Sequence, residues 1–173
     1  MATDFTWTQR FDAAPDTVFA MLSDADYVTA KGRATGALEV EAHVDAGEDG
    51  GAQIVSRRVM PANLPSFVRR FVGDQLELTE TQRWSPPDAD GARSATFDID
   101  FGSQPLAFSG TLRLAPDGDE SSVHTQGRIS ASVPLVGRKV EGVAQHWTER
   151  FLAKEEQFAA TWLDGSAGAA AGT

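Results

Sequence analysis

Cysteine is absent from this chain. Disulfides, thiolate catalysis and cysteine-ligated zinc or iron–sulfur centres are therefore excluded. Basic residues are scarce relative to acids: 15 Lys and Arg face 25 Asp and Glu, a net charge of −10. That balance argues against nucleic-acid binding, which draws its affinity from neutralising phosphates, and against adsorption of the whole surface to anionic membranes. No apolar run approaches the ~20 residues a transmembrane helix needs, so integral membrane association is not expected. The opening Met1-Ala2-Thr3-Asp4-Phe5 lacks a basic segment followed by an apolar stretch, so a cytoplasmic protein without a secretory signal is expected. There are only three histidines. His43 and His124 fall opposite apolar rows, and His146 flanks one, so all three are expected at the surface. No Ser–His–Asp set, G-x-S-x-G elbow, G-x-G-x-x-G or Walker loop occurs. Asp45 to Gly50 resembles a calcium loop superficially, but Gly47 and Ser56 occupy ligand positions, and a hairpin turn explains the segment. No metal and no cofactor is assigned.

What remains is a 173-residue chain of 41% hydrophobic and 23% charged residues, enough for one packed domain. Phe5, Trp7, Gln9 and Phe11 alternate as a strand. Pro15 opens a short amphipathic helix to Ser23, and Asp24 caps a second one reaching about Lys31. Alternating rows then recur between turn-rich loops: Leu38 to Val44, Gln53 to Met60, Leu76 to Trp84, Ala95 to Phe101, Leu106 to Leu114, and Val123 to Val133. Consecutive strands of this kind argue for one antiparallel sheet. Val140, Val143, Ala144, Trp147, Phe151, Phe158 and Trp162 form a helical stripe from Arg138 to Leu163. A twisted sheet must cover its apolar face, and this last helix alone has the surface to do it. The fold class is therefore α+β of the helix-grip type, with about seven strands curved around the terminal helix. Residues 3–163 form the expected domain and 164–173 a disordered tail.

Arg10-Phe11-Asp12-Ala13-Ala14-Pro15-Asp16-Thr17-Val18-Phe19-Ala20-Met21-Leu22-Ser23-Asp24 resembles the start of the START-like (SRPBCC) superfamily, which includes lipid-transfer domains, polyketide cyclases and plant hormone receptors. Two further stretches, Leu64-Pro65-Ser66-Phe67-Val68-Arg69-Arg70-Phe71-Val72-Gly73 and Val133-Pro134-Leu135-Val136-Gly137-Arg138-Lys139-Val140-Glu141, resemble domain-of-unknown-function family 2505. The resemblance spans roughly Thr3 to Leu163. It implies a helix-grip fold with an internal cavity, and no particular activity, since one fold hosts many functions.

The informative residues are polar ones that interrupt inward apolar rows, since burial of such groups is costly unless they meet a partner or a ligand. Parity places Glu80 and Gln82 on the Leu76, Leu78, Trp84 face. On the preceding strand either Ile54, Ser56, Arg58 and Met60 or Val55, Arg57 and Val59 point inward. In the first case Arg58 reaches Glu80; a bulge would send these groups to water instead. Leu64 to Gly73 reads as a short helix with Phe67, Val68 and Phe71 on one side. It is either a lid whose Arg69 and Arg70 meet an anionic head group or a surface helix sealing the core. Lys31 and Arg33 flank the same opening. The aromatic residues Trp84, Phe97, Phe108, Trp147 and Phe151 serve equally as core and as cavity wall. The candidate cavity set is thus Arg58, Met60, Phe67, Phe71, Glu80, Gln82, Trp84, Phe97, Phe108, Trp147 and Phe151. The expected function is binding or carriage of a small hydrophobic or amphipathic molecule. One alternative is a cyclase- or dehydratase-like enzyme using a cavity carboxylate, which would need an acid–base pair such as Glu80 with a histidine. The other is a ligand-free interaction domain with a filled core.

Overall fold

The computed structural model describes residues 2–165. In chain order the elements are β1 (Ala2–Phe11), α1 (Pro15–Leu22), α2 (Ala25–Ala34), β2 (Glu39–Ala46), β3 (Ala52–Pro61), α3 (Ser66–Val72), β4 (Gln75–Trp84), β5 (Arg93–Asp100), β6 (Leu106–Asp117), β7 (Glu120–Ala131) and α4 (Gly137–Leu163). The seven strands form one antiparallel sheet in the order β1-β7-β6-β5-β4-β3-β2. This is the helix-grip arrangement the sequence predicts. Residues 166–173, most of the expected tail, lie outside the described residues.

Local chemistry sets the helix boundaries. Pro15 stands in the first turn of α1, where its missing N–H leaves nothing unpaired. The Asp24 carboxylate caps α2 by accepting the Asp26 N–H at 2.8 Å. The second helix runs to Ala34, beyond the expected end near Lys31. Gly32 permits this: a Cβ there would lie 2.8 Å from Cγ2 of Val40 on β2, so a bare backbone lets α2 settle on the sheet. The α2 carbonyls that end the helix are met by Thr35, whose hydroxyl donates to Lys31 O at 2.9 Å.

In the β6–β7 pairing two glycines, Gly110 and Gly127, stand opposite each other. Bare backbone at Gly127 makes room for two rings. Phe5 from β1 and Phe108 from β6 close over it with centroids 5.1 Å apart, and Phe97 joins Phe108 edge-on at 5.0 Å. A Cβ at Gly127 would fall 2.3 Å from Phe5 Cε1 and 2.7 Å from Phe108 Cε2. Gly127→Ala is therefore expected to destabilise the protein by about 1–3 kcal/mol through overpacking, read as a lower midpoint in urea unfolding with an unchanged slope.

The start of α4 is tied to the sheet by a buried carboxylate. Glu141, 1% exposed, accepts the Ala131 N–H at 3.1 Å and the Thr3 hydroxyl at 2.9 Å. One side chain thus joins α4, the end of β7 and β1. Further along, the α4 stripe behaves unusually. Val140 and Ala159 are buried, yet Trp147 and Phe151 between them are only half-buried. Both residues line the space between α4 and the sheet, so their missing contacts fall there rather than on packed neighbours.

Candidate functional site

Between the sheet and α4 lies a cavity of about 380 Å³. That volume falls within the range typical of small-molecule sites, about 300–1,000 Å³. Its walls are mainly apolar: Phe5, Met60, Leu76, Leu78, Trp84, Phe97, Ile99, Phe101, Phe108, Leu112 and Ile129 from the strands, and Val143, Ala144, Trp147, Phe151 and Leu152 from α4. Of the sequence candidates, Arg58, Met60, Glu80, Gln82, Trp84, Phe97, Phe108, Trp147 and Phe151 line it.

Phe67 and Phe71 do not line it. The seven-residue α3 turns Val68 and Val72 inward, both 3% exposed. Phe67 packs half-buried against the Ala62, Val68 and Val133 cluster, and Phe71 is 40% exposed. One residue step around a helix is about 100°, so a shift of one position hands the inner face to the valines and takes both phenylalanines off the cavity. Val68 and Leu64 line the space instead. Arg69 and Arg70 stay at the surface, Arg69 facing Asp74 at 4.0 Å.

The polar groups gather at the α2 side of the cavity. On β3 the inward row is Ile54, Ser56, Arg58 and Met60, all buried. Ser56 sits opposite Glu80 in the β3–β4 register, which makes Arg58 the diagonal neighbour of Glu80 on the same face. Arg58 Nη2 donates to Glu80 Oε2 at 2.5 Å. Gln82 Nε2 donates to Glu80 Oε1 at 2.6 Å, and Trp84 Nε1 donates to Gln82 Oε1 at 2.8 Å. From the helices come Lys31 and Glu155, with Lys31 Nζ 3.5 Å and Arg58 Nη1 3.9 Å from Glu155 Oε1. The order is Lys31, Glu155, Arg58, Glu80, an alternation of charge whose sum is zero.

This setting fixes protonation. Burial pushes the Glu80 carboxyl up, but Arg58, Lys31 and the hydrogen bonds from Gln82 and Arg58 outweigh it, so its pKa falls below the usual glutamate value. Glu80 is therefore an anion at neutral pH. Tyr27, 1% exposed, is held neutral: burial raises its pKa far above the ordinary phenol value, and the Glu155 charge adds to the effect. Its ring packs against Phe158 and Trp162, with centroids 5.9 and 5.4 Å away.

Two polar atoms in the wall have no partner within the protein. They are Nε of Arg58 and the hydroxyl of Thr125, on residues 7% and 3% exposed. Sequence reasoning named neither Glu155 nor Thr125 as a site residue. The signal was present. Glu155 follows Phe151 by four in the α4 stripe, and Thr125 interrupts the Val123–Gly127 row, just as Glu80 interrupts its own. The three histidines are exposed, His43 beside Asp45 and His124 beside Thr8 at 3.0 Å each, and none lines the cavity. The acid–base pair of Glu80 with histidine is not assembled. Among the described residues no group of three or more His, Asp or Glu is placed to hold a metal ion, and no helix is long and apolar enough to cross a membrane.

A sheet gripping a terminal helix around an apolar cavity defines the START-like class, and solved structures of that fold superpose on this chain. A protein from Thermus thermophilus, TTHA0849, matches with a TM-score of 0.61 at 15% identity, covering 91% of this chain and 97% of that one. A START superfamily protein from Mycobacterium smegmatis matches with a TM-score of 0.58 at 15% identity, covering 92% and 98%. Norcoclaurine synthase from Thalictrum flavum matches with a TM-score of 0.57 at 9% identity, covering 94% of each. At these identities the likeness is one of fold. Within the class, residues 6–163 match the model of a family described as protein of unknown function, DUF2505, and the chain belongs to that family. Uncharacterized proteins of Mycobacterium tuberculosis and Mycobacterium bovis are 23% identical to it over 171 residues, covering 94% of this chain and 98% of theirs.

Proposed function

We propose that this protein binds, and carries, a small hydrophobic or amphipathic molecule in the cavity between the sheet and α4. The observation that carries this reading is the combination of about 380 Å³ of largely apolar space with a polar cluster on its wall. A filled core would leave Trp147 and Phe151 fully buried, and they are not. Removal of apolar ligand surface from water supplies the driving force, at about 25 cal/mol per Å². Arg58, Glu80 and Gln82 give one wall of that space hydrogen-bonding groups beside its apolar surface. This free space speaks against the ligand-free interaction domain.

Native mass spectrometry of the protein purified from its own host tests the proposal. A co-purifying molecule, released on denaturation, is the expected result. Repeated empty spectra, together with no thermal shift from apolar or amphipathic compounds, would overturn it.

A further inference from the structure

This inference rests on the cavity-binding reading above and adds a ligand class to it. The interior polar cluster has no charge to spare. Lys31 and Arg58 are matched by Glu155 and Glu80 within 4 Å, so a buried anionic head would compete with Glu80 and a buried cationic head would find no free acid. The excess charge lies elsewhere on the wall. Arg150 and Lys154 also line the cavity, and both are exposed. They stand four apart on α4, neighbours on one helix face. The guanidinium of Arg150 lies 5.6 Å from the ring centroid of Trp147, itself a wall residue.

Neither Arg150 nor Lys154 makes an ion pair among the described residues. In a chain with 25 acids and 15 bases this is notable, since the surface arginines of the sheet hold acids, as Arg83 holds Asp98 and Arg128 holds Asp4. Two free cations therefore border the apolar space at its solvent side, while the inner end is electrically balanced. We infer that the cavity selects an anionic amphiphile, with its chain among the aromatic walls and its head group at Arg150 and Lys154.

Isothermal titration of the full chain with decanoate, decanol and decylammonium tests this at low and high salt. Two exposed ion contacts predict that decanoate binds about fivefold more tightly than decanol at low ionic strength. The preference should shrink as salt is added, and decylammonium should bind most weakly. In the double variant Arg150→Gln/Lys154→Gln the decanoate-to-decanol ratio should fall to about one, with thermal unfolding tracking the fold separately. Decanol or decylammonium binding the wild type as tightly as decanoate would overturn the anionic selection while leaving the cavity reading intact. A ratio unchanged in the double variant would overturn the assignment to Arg150 and Lys154. Failure of all three compounds to bind would sink the cavity reading and this proposal with it.

Discussion

Glu80→Ala is expected to cost about 3–5 kcal/mol of stability, because it strands a buried arginine without its main counter-charge. The Arg58 side chain is 9% exposed, and Glu80 takes the shorter of its two ion contacts. Gln82 would lose its acceptor in the same step. Chemical denaturation of the variant checks this; a loss below about 1 kcal/mol would mean that water already reaches Arg58. The same carboxylate makes stability depend on pH. Its folded pKa is depressed, so its contribution is complete above the unfolded glutamate value of about 4.3 and is lost as the pH falls through the folded one. The stability gap between the wild type and Glu80→Gln should accordingly narrow on acidification below about pH 5. A gap that widened there would reverse the sign of the interaction.

Trp84→Ala should cost a similar amount, about 3–5 kcal/mol, for a different reason. The indole is 5% exposed and meets the edge of Phe19 at 5.8 Å between centroids. It closes one side of the cavity and donates to Gln82, so truncation removes packing and enlarges an existing space. Trp84→Phe separates the two contributions. It retains most of the apolar area but leaves Gln82 Oε1 without its donor, at a cost of about 1 kcal/mol. Thermal or urea unfolding of both variants reads the difference. Equal losses would show that the hydrogen bond, not the ring, holds the site.

Much of this architecture is written in the periodicity of the chain. The alternation at Leu76, Leu78, Glu80, Gln82 and Trp84 is strict, so the inward face of β4 is legible, and with it the two polar residues that matter. The face of β3 is not, because Val55 and Val59 are as apolar as Ile54 and Met60. Only pairing to β4 decides that Arg58, rather than Arg57, turns inward, where Arg57 instead meets Glu77 outside. The lid segment fails differently. In Phe67-Val68-Arg69-Arg70-Phe71-Val72, phenylalanines and valines are each four apart, so two helical faces compete and hydrophobicity alone favours the larger side chains. The core under α3 is made of Ala62, Ala131 and Val133 and offers space suited to valine. Long-range partnerships such as Lys31 with Glu155 leave no local trace at all, since 124 positions of chain separate them.

The strand order leaves β1 and β2 with unpaired backbone along one side each. Such borders are templates on which another copy of the chain can add itself. Along β2 the outward positions are Glu39, Glu41, His43 and Asp45, all exposed. Fully overlapped antiparallel growth of one β2 against another would set Glu39 beside Asp45 at both ends of the row. Glu39, Glu41 and Asp45 thus stand where a further strand would have to add, so the border that is open to growth carries charge that opposes it.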